Sequence, residues 1–211
     1  MTLPFTRAEF LEVFAVYNTH LWPAAALLWL ATVAVVVVFA RGARPPHRLI
    51  AGLLAFHWAW SGIVYHASLF TAINPAAWLF AALFVAQAIV FARWGAALEF
   101  SRSRSIGHTI SWMLIGYALL YPVVAWAGGL DYPRVPTFGV PCPTTILTAG
   151  LLLAADPPLP AISAAIPIGW TVVGGSAAFL LGIGADLMLP VAGCCLSVSL
   201  VHNHHVRRVR S

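Results

Sequence analysis

Uncharged stretches long enough to cross a bilayer recur along the chain, and charge is confined to the joins between them. From Leu49 to Ala92 and from Ile106 to Leu130 not one Asp, Glu, Lys or Arg occurs. A hydrocarbon layer offers the backbone no water to bond, so a helix that satisfies its own N–H and C=O groups is the form such a stretch takes. About 20 apolar residues make one helical crossing. Only 8% of the 211 residues are charged and 61% are hydrophobic, whereas a soluble domain carries roughly 25% charged residues. The expected fold class is all-α, a polytopic membrane helix bundle.

Seven spans are expected, at 21–40, 49–70, 75–93, 106–127, 138–155, 160–182 and 187–203, so that residues 21–203 form a single transmembrane domain. The last two are the least separable, because one broken apolar stretch also suits a span with a re-entrant piece. Gly182 to Asp186 is read as the turn between them. Trp22-Pro23 suits the first turn of span one, where proline loses no helical bond. Ahead of it, residues 1–20 lack the basic start and cleavage site of a signal peptide. Thr6-Arg7-Ala8-Glu9 has the spacing of a capping box. Phe10, Leu11, Phe14 and Tyr17 follow at helical spacing, and a short interfacial amphipathic helix is expected there. The bland alternative is a soluble extension of span one. Residues 204–211 are expected to form a basic tail, in which His202, His204 and His205 adjoin arginines rather than build a metal site.

Arginine orients the bundle. Nine arginines (Arg41, Arg44, Arg48, Arg93, Arg102, Arg104, Arg207, Arg208 and Arg210) fall on one side of seven spans, leaving Arg7 and Arg134 on the other. The bias of cationic loops toward the cytoplasm then puts the N-terminus outside, as in a bacterial inner-membrane protein. The same placement explains the net charge of +5 without nucleic acid, and the lipid bilayer is the expected partner. Trp22, Trp78, Trp126 and Tyr132 fall near the outer boundary. Ala161, Ala165 and Gly169, and again Gly174, Ala178 and Gly182, have the spacing of close helix packing.

Polar chemistry gathers near one stretch, Pro136 to Ile146. Pro141 and Pro143 lack N–H groups, so the head of span five is expected to be irregular over Phe138 to Pro143. The carbonyls freed there need protein or a wet cavity, and the hydroxyls of Thr137, Thr144 and Thr145 are the expected donors. A rise of about 1.5 Å per residue puts Cys142 and His66 both roughly 6 Å below the outer boundary and Tyr121 roughly 9 Å below it. Asn74 lies at the boundary and His57 near the midplane. An outward-facing solute pocket is expected from Tyr121, Thr144, Thr145, Asn74 and His57. Thiol and imidazole suit a soft metal ion, with Cys142, His66, Cys194 and Cys195 as candidate ligands. Against this stands the ordinary use of buried cysteine as a small hydrophobe and of buried histidine as a hydrogen-bonded packing residue. His57, Ser61, Tyr65 and Ser68 share one helical face, and His66 falls on the opposite one.

Several classes are disfavoured. With no lysine in the chain, a retinal Schiff base cannot form. A haem held by two histidines lacks a pair at one depth, since His20 and His108 sit at opposite surfaces. No Gly-x-Ser-x-Gly elbow, His-Glu-x-x-His pair or intramembrane carboxylate dyad supports catalysis.

Four phrases, Phe5-Thr6-Arg7-Ala8-Glu9-Phe10, Asn74-Pro75-Ala76-Ala77-Trp78, Pro136 to Thr145 and Gly174-Gly175-Ser176-Ala177-Ala178-Phe179, resemble a bacterial family of multi-span membrane proteins whose domain has no assigned function. The resemblance covers nearly the whole chain and implies fold and location, without an activity. Cys194-Cys195 is also similar to the vicinal cysteines of mercuric-ion transporters. The first expectation is a small transport or binding protein for a solute or soft metal ion. The second is a non-catalytic subunit of a larger membrane complex or homo-oligomer, and the third an embedded redox or haem protein.

The arginine split makes one prediction. In a variant stripped of its native thiols, cysteines placed at Ser103 and Ser211 should resist an impermeant maleimide applied to intact cells. Labelling of either from outside rules out the seven-span order.

Overall fold

The computed structural model describes residues 3–42, 46–100, 106–155 and 159–210. Arg44, Arg102, Ser103, Arg104 and Ser211, used above for orientation and labelling, lie outside them. Among the described residues seven α-helices follow one another: α1 (Arg7–Arg41), α2 (His47–Trp60), α3 (Ala77–Trp94), α4 (Ile106–Ala127), α5 (Pro141–Leu153), α6 (Ala161–Leu181) and α7 (Met188–Arg210). Six helical segments are long and apolar enough to cross a membrane, and α5 is a shorter apolar helix. The chain is a multi-pass membrane protein with an all-α bundle. Its outer surface is apolar, with Phe179 78% and Met113 68% exposed, as suits helices that meet lipid rather than water.

The bundle is wrapped around α5. Every residue from Pro141 to Leu152 is buried, which requires neighbours on all sides, and α4, α7, α6 and α2 supply them. Small side chains let them approach. Gly150 faces α4 so closely that an added Cβ would lie 2.9 Å from Ile115 Cγ1 and 3.0 Å from the Ser111 carbonyl oxygen. Ser111 Oγ donates to the Gly150 carbonyl at 2.7 Å. Thr148 Oγ1 donates back to the Thr144 carbonyl at 2.7 Å, and Trp58 Nε1 donates to Thr148 Oγ1 at 2.9 Å.

The two ends of the bundle differ. At one, the Phe39 ring stacks on Trp112, Phe100 N–H donates to His47 Nδ1 at 3.1 Å, and Phe100 forms an isolated bridge with Ala155. Arg41, Arg48 and Arg93 lie on the helix termini of this end. At the other, Arg134 pairs with Glu12 at 3.2 Å, and Asn18 Nδ2 donates to the Pro133 and Val135 carbonyls at 2.6 Å each. The helices α1, α3, α5 and α7 therefore run toward the arginine-rich end, and α2, α4 and α6 run away from it.

Some sequence expectations are corrected here, while the separation of the last two spans is as expected. Residues 7–20 are helical behind the expected capping box, with Glu9 N–H bonded to Thr6 Oγ1 at 3.3 Å. They form no separate surface helix, because α1 continues unbroken for 35 residues, and Pro23 lies inside it rather than at its start. The apolar face of that first portion (Phe10, Leu11, Phe14, Tyr17) packs on protein. At the far end α7 runs on to Arg210 with no break at residue 203. Finally, α6 and α7 are two full helices whose close contact uses Gly174 and Gly175 against Leu189 and Pro190, and Gly193 against Thr171. The Ala161, Ala165 and Gly169 row is exposed instead.

The α4–α5 contact has a direct test. Gly150→Leu should lower the detergent-solubilised melting temperature by an amount matching a loss of about 1–3 kcal/mol, the usual cost of overpacking. Gly116→Leu, where nothing lies within 4 Å of an added Cβ, should change it little.

Candidate functional site

The head of α5 is held by side chains from α1, α2 and a π-helical turn, Ser61–Ala67, that continues α2. Gly139 has φ +88°, and an added Cβ there would collide with Tyr17 Oη and lie 2.7 Å from Trp60 Nε1. Tyr17 Oη donates to the Phe138 carbonyl at 2.7 Å and receives Trp60 Nε1 at 2.9 Å. Ser61 Oγ donates to the Gly139 carbonyl at 2.8 Å. The expected donors were threonines, yet Tyr17 and Ser61 do the work. Thr137 instead donates to Asn18 Oδ1 at 2.6 Å, and Thr145 bonds back to the Pro141 carbonyl at 2.9 Å.

Irregularity stops at Val140, three residues earlier than expected. Val140 is the N-cap, and Pro141 to Pro143 form the first helical turn. The first N–H groups of a helix have no partner within it, so prolines there remove nothing. Pro-Cys-Pro is a helix start, and Cys142 turns inward rather than to lipid.

Beside this start lies a cavity of about 320 Å³, in the size range of small-molecule sites. It is bounded by α1, the π-helical turn, α5, α6 and the 3₁₀ turn Gly184–Leu187, at the end away from the arginine-rich one. Its walls are aromatic, with Phe10, Phe14, Tyr65, Phe70, Phe80 and Trp170 among them. Among the polar residues on its wall are His66, Asn74, Cys142, Ser176 and Asp186. His66 is wholly buried, with ring centroids 4.7 Å from Phe84 and 5.0 Å from Trp170. Neither of its nitrogens has a hydrogen-bond partner, and Trp170 Nε1 is buried without one too.

Asp186 lies in the expected turn between α6 and α7, yet its side chain is buried rather than solvated. The Tyr121 hydroxyl donates to Asp186 Oδ1, and the Cys142 thiol stands within hydrogen-bonding reach of the same carboxyl. The Tyr117 hydroxyl, one helical turn before Tyr121, donates to the Ala185 carbonyl at 2.8 Å, so α4 fixes the turn from below. A signal was present in the neighbours: Ile183, Ala185, Leu187 and Met188 are poor company for a solvated carboxylate.

The remaining candidates divide. Cys142, His66 and Asn74 line the cavity, while Tyr121 supports it through Asp186 without reaching its wall. His57 and Thr144 belong to a separate buried chain. His57 Nε2 pairs with Thr32 Oγ1 at 2.9 Å and its Nδ1 with Thr144 Oγ1 at 3.4 Å, and Thr144 meets Ser61 Oγ at 3.3 Å. The packing reading of histidine thus holds for His57. Cys194 lies exposed on a groove between α6 and α7, with Cys195 half-buried beside it. The four proposed metal ligands do not form one centre, and among the described residues no three His, Cys, Asp or Glu side chains converge to hold an ion.

Residues 7–211 match the family of unknown function DUF6064. No curated protein and no solved structure matches the chain.

Tyr121→Phe tests the carboxyl cluster. It removes a donor to a buried carboxyl, and its effect on thermal unfolding in detergent should correspond to roughly 1.5–3 kcal/mol. A loss smaller than that of Tyr132→Phe, at an exposed tyrosine, would show that the hydrogen bond contributes nothing.

Proposed function

We propose that this chain, which belongs to the DUF6064 family, is a bacterial inner-membrane protein that binds or transports a small organic solute through the cavity between α1, α5 and α6. The observation that carries this reading is His66. A buried polar atom without a partner costs about 1–3 kcal/mol, and few such groups persist without a reason. Here two unpartnered nitrogens sit on the wall of a cavity of ligand size, inside a box of rings. A solute that fills the box and bonds the imidazole satisfies both at once. The arginine split supports an outward-facing position for this end of the bundle.

An organic solute fits better than a soft metal ion. The cavity brings one thiol and one imidazole to its wall, without the convergent ligand set that an ion requires. Aromatic walls contribute contact area and few bonds, which suits a molecule with a ring and one polar group.

Equilibrium dialysis of the purified protein in detergent against radiolabelled benzyl alcohol tests the reading. Saturable binding near one molecule per chain is expected, weakened about tenfold in His66→Phe, in line with a lost hydrogen bond inside a dry site. Non-saturable uptake equal to that of empty micelles would overturn it.

A further inference from the structure

Resting on the reading of the cavity as a solute site, we infer that the solute is an organic cation, its ammonium group seated between Asp186 and the aromatic walls.

The cavity holds one acidic side chain and no basic one apart from the imidazole of His66. Asp186 receives the Tyr121 hydroxyl and has the Cys142 thiol beside it. Burial disfavours a lone charge on this carboxyl, while the hydrogen bond from the Tyr121 hydroxyl favours it. Among the described residues no cation pairs with it. Among the described residues the ion pair formed is Arg134 with Glu12, both exposed at the surface. Arg7, the cation closest in sequence to the cavity wall, directs its Nε to the Leu181 carbonyl at 2.9 Å instead. Taking a carboxylate out of water without a counter-charge costs several kcal/mol. A cation entering from outside supplies the counter-charge that the described residues lack, and lets the carboxyl ionise in place.

The rest of the wall selects the kind of cation. A metal ion needs several convergent ligands, and these are absent among the described residues. An ammonium group is instead held well by the faces of Phe, Tyr and Trp, an attraction that strengthens when water is excluded. Phe10, Phe14, Tyr65, Phe70, Phe80 and Trp170 present such rings around the space. An N–H of the same group has a second acceptor in His66, since neutral imidazole carries one free lone pair. A carboxylate or phosphate solute meets the opposite conditions, with like charge at Asp186 and ring faces that repel it.

The test uses two probes of nearly identical shape, benzylammonium and benzyl alcohol, measured by dialysis against wild type and Asp186→Asn. The expected result is at least a tenfold preference of wild type for benzylammonium. Asp186→Asn should reduce the preference to less than twofold. Equal affinity of wild type for the two probes, or a preference for the alcohol, overturns the cation and leaves the cavity reading intact. Binding of neither probe overturns both. The wild-type comparison decides the matter even where Asp186→Asn fails to fold.

Discussion

A helix that starts inside a bundle must have its leading backbone satisfied by side chains, because no water reaches it. The head of α5 meets this condition through Tyr17, Trp60 and Ser61, which bond the carbonyls of Phe138 and Gly139 or one another. Much else follows. The absence of a Cβ at Gly139 allows those side chains to approach. The N-terminal portion of α1 is drawn onto the protein, away from the membrane surface, since Tyr17 and Asn18 are anchored to the segment before α5. The inward turn of Cys142 toward Asp186 follows from the same placement of the first turn of α5.

Two sets of polar groups inside this bundle contrast. One set is closed: His57, Thr32, Thr144 and Ser61 bond each other and leave no vacancy that a ligand could use. The other set opens on the cavity, where His66 and Trp170 carry unpartnered nitrogens and Asp186 lacks a counter-ion among the described residues. A closed network specifies packing. An open one, enclosed by rings and placed at one end of the bundle, has the character of a binding site.

Much of this architecture was legible. The apolar runs predict seven helices, and their number and order stand. Span lengths misled at α5, which is only 13 residues long and is buried by its neighbours on all sides. The Pro-Cys-Pro phrase marked the right place for the wrong reason: prolines that would break a helix interior are harmless in its first turn. The helical wheel of span two failed beyond Ser61. The π-helical turn widens the spacing, so that Tyr65 and the adjacent His66 are both buried while Ser68 is exposed. No composition rule reveals such a turn. Asp186 escaped because a single carboxylate after two glycines reads as a loop unless the aliphatic residues around it are weighed too.

The length of chain between partners has a bearing on biosynthesis. Tyr17 meets the Phe138 carbonyl across 121 residues, Asn18 meets Val135 across 117, and Trp58 meets Thr148 across 90. At roughly 5–20 residues per second, the ribosome needs several seconds at least to deliver those acceptors. Throughout that interval α1 and α2 have Tyr17, Asn18 and Trp58 without their final partners. The first helices thus enter the bilayer as an incomplete scaffold, and the emergence of α5 is the step that locks them.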